Sequence, residues 1–328
     1  MAGWRSLVSF ISILPTLVVS QQCNLQFDGR VPLVFTPAAF NSNNGVFNPN
    51  NVFGQGLNLG SVVQLQNSLS SLVGSRRACI LSTRSGLHGS SLMLARFQWE
   101  SPLGKIKVQQ LRARRRSANK HTNSDDSIFA PSADNVQTGF RRAELLIASN
   151  DGTDASTTGV KTLHFSVMKD ANRPLNLTHE YQLVFLESND FSTNQFVLKT
   201  GTILGANTAD PDTLQLFGNV NADLGQTLFS APFAGDVFHN FAVTLDFDAL
   251  TTQVFYSQGT DPLIAQTQAL ANDVSGQGQF HFGVLKKGLN GGNDIVKNGE
   301  QEPGIDEGII FGGIFEEDSS AGCISLSA

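Results

Sequence analysis

The sequence predicts an all-β protein, a sandwich or jelly roll, and three observations predict it. From Ser127 on, short alternating or wholly apolar runs follow one another, which is the period-2 signature of strands lying on a sheet. Clusters such as Ser149-Asn150-Asp151-Gly152, Ala209-Asp210-Pro211-Asp212 and Lys287-Gly288-Leu289-Asn290-Gly291-Gly292 separate the runs; Gly, Pro, Asn and Asp reverse a chain because they supply or tolerate the backbone angles of turns. Helix signals are weak, with Pro262–Val274 alone suggesting one helical turn.

In chain order the predicted strands are Gly139–Ile147, Lys161–Met168, Tyr181–Glu187, Gln195–Lys199, Leu214–Asn219, Asn240–Asp246, Gln253–Ser257, Gln279–Leu285 and Gly308–Phe315. Short strands at near-regular spacing stack as two sheets, and the 24 Phe residues supply much of the core between them.

The N-terminus has a different character. Arg5 precedes the apolar stretch Leu7 to Val19, which Pro15 interrupts, and Val18-Val19-Ser20 offers small residues before Gln21. That is the layout of a signal peptide over residues 1–20, too short and broken to span a bilayer. The expectation is a secreted protein with no membrane anchor, its single domain occupying 21–328. Cys23 and Cys323, near the two mature ends, are natural disulfide partners in an oxidising compartment, leaving Cys79 over. Asn176-Leu177-Thr178 is a glycosylation sequon between predicted strands.

Residues 74–121 stand apart. They hold half of the chain's 22 Lys and Arg, a single acid (Glu100), Trp99, His88 and His121. The rest of the chain is strongly acidic. Without aromatic interleaving, zinc spacing or a helix-turn-helix, the segment does not point to nucleic acid. It reads as an atypical insert, either a disordered loop or a translated retained intron.

Several chemistries are excluded. There is no G-x-S-x-G elbow, no HExxH or CxxC spacing, and no Gly-rich phosphate loop. The expectation is therefore no metal and no cofactor. What remains is carboxylates on strands. Residues i and i+2 share a face, so Phe140, Arg142, Glu144 and Leu146 lie together, with Arg142 placed to hold Glu144 ionised. From that spacing alone, a plain structural ion pair is the commoner reading. Tyr181, Leu183, Phe185 and Glu187 share one face of the next candidate; Glu180, Gln182, Val184 and Leu186 share the other. Gln279, His281, Gly283, Leu285 and Lys287 form a polar edge suited to a sugar groove, and His239 is a further strand histidine. Paired carboxylates across a sugar are what glycoside hydrolysis requires.

At this point longer stretches carry a resemblance. Ser127-Ile128-Phe129-Ala130-Pro131-Ser132, Val136-Gln137-Thr138-Gly139-Phe140-Arg141-Arg142-Ala143-Glu144-Leu145, His179-Glu180-Tyr181-Gln182-Leu183-Val184-Phe185 and Gly304-Ile305-Asp306-Glu307-Gly308 strongly resemble fungal glycoside hydrolase family 131. The likeness covers 22–73 and 122–328 and skips the basic segment. It implies a β-jelly roll with an open groove, activity on β-1,3-, β-1,6- and β-1,4-glucan, and a secreted, monomeric enzyme of cell-wall turnover. It also implies an inverting mechanism carried by two glutamates. Glu144 matches one of the pair; Glu187 is the expected second, with Glu180 in reserve. Arg142, Gln279, His281, Lys287 and His239 are the expected sugar-binding groups.

A more distant likeness to jelly-roll alginate lyases of polysaccharide lyase family 7 sets Glu187 at their groove histidine and Leu285 at their catalytic tyrosine. Loss of that proton donor favours hydrolysis over elimination. A lyase or a non-catalytic glycan-binding jelly roll are the alternatives. One departure stands out: Trp is missing outside the first 20 residues and the insert, and Phe238 falls where a groove Trp would be expected.

Overall fold

The computed structural model describes residues 23–32, 34–43, 45–49, 63–67, 77–84, 128–130, 132–220 and 225–327. The signal-peptide candidate and most of the basic segment lie outside these residues.

The chain forms two antiparallel sheets packed face to face. The larger has the order β12-β11-β10-β5-β15-β3-β2, with β1 pairing β15 and β13 pairing β11. Its strands are β1 (Leu25–Asp28), β2 (Val63–Asn67), β3 (Arg77–Arg84), β5 (Val160–Lys169), β10 (His239–Asp246), β11 (Thr251–Gln258), β12 (Ile264–Ala265), β13 (Leu270–Ala271) and β15 (Asp306–Asp318). The smaller has the order β4-β14-β6-β7-β8-β9, built from β4 (Phe140–Leu146), β6 (Glu180–Glu187), β7 (Asn194–Gly201), β8 (Thr213–Phe217), β9 (Thr227–Pro232) and β14 (Gln279–Lys287). The order mixes early and late strands, so crossovers between sheets knit the chain into the jelly roll.

Phenylalanine fills the space between the layers. Phe165 of β5 stacks on Phe241 of β10 at 5.1 Å and meets Phe282 of β14 edge-on at 6.5 Å, across the two sheets. Phe196, Phe280 and Phe311 are fully buried beside them. Each such ring removes a large apolar area from water, about 25 cal/mol per Å².

All nine predicted strands are present within a few residues. The helical turn expected in Pro262–Val274 is not: β12 and β13 occupy it, because each pairs with the otherwise free edge of β11. Backbone groups on an open edge are satisfied by pairing. β9, and the short helix α1 (Ile295–Asn298, capped by the Asp294 side chain), had no sequence signal. The basic segment divides: residues 77–84 are β3, paired to β15 and to β2.

A second departure matters more for the groove. In β6, the register shift against β7 between Gln182 and Val184 marks a β-bulge at Leu183. Leu183 and Val184 both enter the core cluster, while Phe185 joins a separate apolar cluster with Leu285 on the opposite face. A bulge inserts one residue and reverses the alternation beyond it. Glu180 and Gln182 are thereby carried to the same face as Phe185 and Glu187, rather than the opposite one. Phe238, expected in a groove, is buried with Ile310 against Met168 instead.

Candidate active site

The outer face of the six-stranded sheet gathers most of the candidate site residues. Leu145 and Ile147 point to the core, so alternation turns Arg142 and Glu144 outward. Glu144 lies opposite Gly283 on β14, and Leu146 opposite His281. A Cβ on Gly283 would stand 2.6 Å from Glu144 Cγ and 2.3 Å from the Ala143 carbonyl oxygen. Glycine at that position is what gives the Glu144 side chain its room.

Glu144 is buried and held on three sides. Arg142 Nε donates to Oε1 at 2.9 Å and Nη2 to Oε2 at 3.2 Å, a bidentate fork. His281 Nδ1 meets Oε2 at 2.8 Å. Arg142 itself lies over the Phe129 ring at 4.8 Å and reaches the Gln137 amide oxygen at 3.5 Å. Burial would raise the Glu144 pKa, but the Arg142 charge and the His281 and Arg142 hydrogen bonds outweigh it and bring it down to about 2. Glu144 is ionised at any working pH.

His281 stands between two carboxylates. Its other nitrogen, Nε2, is 3.4 Å from Glu187 Oε2, close enough for charge attraction but not aligned as a hydrogen bond. The ring stacks on Phe185 at 4.3 Å. Burial pushes its pKa down, and contact with Glu144 and Glu187 more than reverses this, leaving it above the ordinary imidazole value. Glu187, with 29% of its side chain exposed, is the carboxylate that solvent reaches.

The remaining expected residues divide. Gln279 lies beside Glu187 in register, its amide donating to the Asn150 carbonyl at 2.9 Å. Lys287 is on the same face, paired with Glu180 at 3.0 Å. Glu180 is buried under Lys287, Lys199 at 3.2 Å and the Leu204 N–H at 2.9 Å. Burial raises its pKa, yet Lys287 and Lys199 prevail and lower it. It is a fully engaged anchor, not a group open to a sugar.

His239 is not brought to the site. It belongs to the other sheet and is buried, with Tyr256 Oη 2.7 Å from Nδ1 and the Ala234 carbonyl 3.1 Å from Nε2. Its neighbour in alternation, Phe241, is core, so His239 faces inward. The Asn176 side chain donates to Glu302 at 2.9 Å and accepts from Thr178 at 2.8 Å. Sequence reasoning missed Lys199, the bridging place of His281 and the clearance at Gly283; none of these has a local signal. Among the described residues no group of His, Cys, Asp and Glu is arranged to hold a metal ion.

A family model described as the glycoside hydrolase 131 catalytic N-terminal domain matches residues 25–322. No curated protein matches the chain. Among solved structures, a GH131 β-glucanase catalytic domain from Podospora anserina superposes with a TM-score of 0.61 at 21% identity, covering 93% of this chain and 98% of its own. The glycoside hydrolase family 131 catalytic domain from Coprinopsis cinerea gives 0.59 at 19% identity, with the same coverage. These two likenesses carry the fold.

Proposed function

The chain belongs to the glycoside hydrolase 131 family, and from that premise we propose that it is a secreted enzyme hydrolysing β-1,3-, β-1,6- and β-1,4-glucan with inversion, through Glu144 and Glu187. The observation that carries this reading is the line Glu144–His281–Glu187 across the floor of an outward-facing sheet. Two carboxylates with an imidazole between them are too far apart to share a proton directly. That favours the wider, roughly 6.5–9.5 Å spacing of inverting enzymes over the roughly 5–5.5 Å of retaining ones.

The two carboxylates are not equivalent. Glu144 is held ionised by Arg142 and His281, so it is no proton donor; it belongs on the base side, where a water is activated. Glu187 is open to the groove, and the His281 proton lies one short transfer from it. In the proposed step Glu187 gives a proton to the leaving glycosidic oxygen. The water's hydroxyl bonds to the anomeric carbon from the opposite face, and its proton passes to the Glu144–His281 side. Two like groups in different surroundings can in this way take opposite roles.

Secretion after cleavage of residues 1–20, and glycosylation at Asn176, complete the proposal. The Cys23–Cys323 disulfide supports an oxidising compartment. We further read residues 21–328 as one catalytic domain acting as a monomer, and the part of 74–121 beyond β3 as an insert whose reality transcript sequencing across those codons would decide.

Sugar release from laminarin and cello-oligosaccharides, with the product anomer followed by NMR, tests the activity. Glu187→Gln and Glu144→Gln are each expected to lower kcat by roughly 10²–10⁴-fold, the span of general acid–base catalysis, with an unchanged circular dichroism spectrum for Glu187→Gln. Full activity in both variants would sink the assignment. Unsaturated products from a uronate polymer would favour elimination instead.

A further inference from the structure

Among the described residues, five other than glycine adopt positive φ: Phe191, Asp236, Leu250, Gln277 and Asn290. A bulky side chain with φ near +59° is an outlier, since Cβ crowds its own backbone. Leu250 recovers that strain by packing against the core. Phe191 does not: it is 74% exposed, the one Phe among the exposed large apolar residues described.

The loop that presents it is rigid. Ser188 and Thr193 close the β6–β7 hairpin through a backbone hydrogen bond of 2.9 Å, and the Phe191 N–H returns to the Ser188 carbonyl at 2.8 Å. Asp190 accepts from Ser188 Oγ and Ser192 Oγ, each at 2.7 Å, and from Ser192 N at 3.1 Å. The Asn189 N–H donates to the Gly276 carbonyl at 3.0 Å, which ties the loop to the turn leading into β14. The strand ends flanking it are those of Glu187 and Gln279, which pair in register. Phe191 thus stands at the end of the groove face, four residues beyond Glu187.

Several other aromatic rings among the described residues are committed elsewhere. Tyr181 is buried and bonded to Glu307, Tyr256 is bonded to His239, and Phe185 is covered by His281. We infer that Phe191 is an aromatic platform on which a glucosyl unit beyond the cleavage point stacks its C–H face. A ring held open to water, at a conformational cost and at one end of a sugar-cutting groove, supplies apolar contact area with little left to immobilise on binding. This rests on the β-glucanase reading of the same groove.

The test compares the parent, Phe191→Ala and Phe191→Trp on a ladder of β-linked gluco-oligosaccharides and on laminarin. Expected for Phe191→Ala is a KM raised roughly 3–10-fold on substrates long enough to reach the loop, unchanged KM on the shortest cleaved substrate, kcat within about twofold, and a melting temperature equal or higher. Phe191→Trp should restore or lower KM. An unchanged KM on long substrates, or an equal rise on all lengths, overturns the inference. If the parent releases no sugar, the hydrolase reading fails by itself. Retardation in laminarin-containing gels then still decides the platform: weakened retention in Phe191→Ala supports it, and undiminished retention overturns it.

Discussion

Glu144 and His281 tie the stability of the fold to pH at the level of single residues. The Glu144 carboxyl falls from 4.5 to about 2 on folding. Its contribution to stability is therefore present above pH 4.5 and is lost as the pH falls toward 2. At about 1.4 kcal/mol per unit the whole effect is on the order of 3 kcal/mol, shared with its partners. His281 runs the other way: its raised value stabilises the fold fully below pH 6.5 and ceases to do so as the pH climbs through the folded-state value. Denaturant midpoints measured from pH 2 to 9 should show both limbs in the parent protein. Glu144→Gln should shrink the acid limb, leaving the share that Glu180 carries, and weaken the alkaline one, since it removes one carboxylate and one of the charges that lift His281. An acid limb of unchanged size in that variant would show that Glu144 carries none of it.

The elements of the small sheet decide what those residues can do. β4 and β14 present Glu144 and His281 only because Gly283 leaves the space between them empty. Gly283→Ala should displace the Glu144 side chain and cost roughly 10²-fold in kcat/KM. Secondary structure should be kept, as judged by circular dichroism, and wild-type kinetics would refute the steric argument. The bulge in β6 has a comparable role. It turns Glu180 outward to meet Lys199 and Lys287 on the groove face, where strict alternation in β6 would have driven the Glu180 carboxylate into the apolar core. Isolated buried charge is expensive, whereas paired and hydrogen-bonded charge is tolerated.

Across the whole molecule, β15 is the spine of the large sheet. It pairs β5, β3 and β1, and the chain beyond it runs back to the N-terminal strand, where Cys23 joins Cys323 across 300 residues. A loop of that length restricts the unfolded chain strongly, and native disulfides of secreted domains contribute about 2–5 kcal/mol. The paired substitution of Cys23 and Cys323 by Ser should lower Tm by several degrees while leaving KM unchanged, because the bond lies on the large sheet and the groove on the small one. A KM change without a stability loss would show that the termini reach the site.

Much of this was legible in the chain itself. Period-2 patterning between Gly- and Asn-rich turns revealed nine strands, because alternation and turn chemistry are local properties of neighbouring residues. The Arg142–Glu144 pairing was readable as a two-residue spacing, and the Cys23–Cys323 bond as the natural pairing of two cysteines near the two mature ends. Tertiary structure alone decided three things. It put His281 between Glu144 and Glu187, sent His239 to the interior of the other sheet, and used a bulge to turn Glu180 toward the groove and lock it in lysines. Each depends on which strands pair and in what register, and that is settled by contacts between strands, up to the 137 positions that separate His281 from Glu144, rather than by the pattern within any one strand.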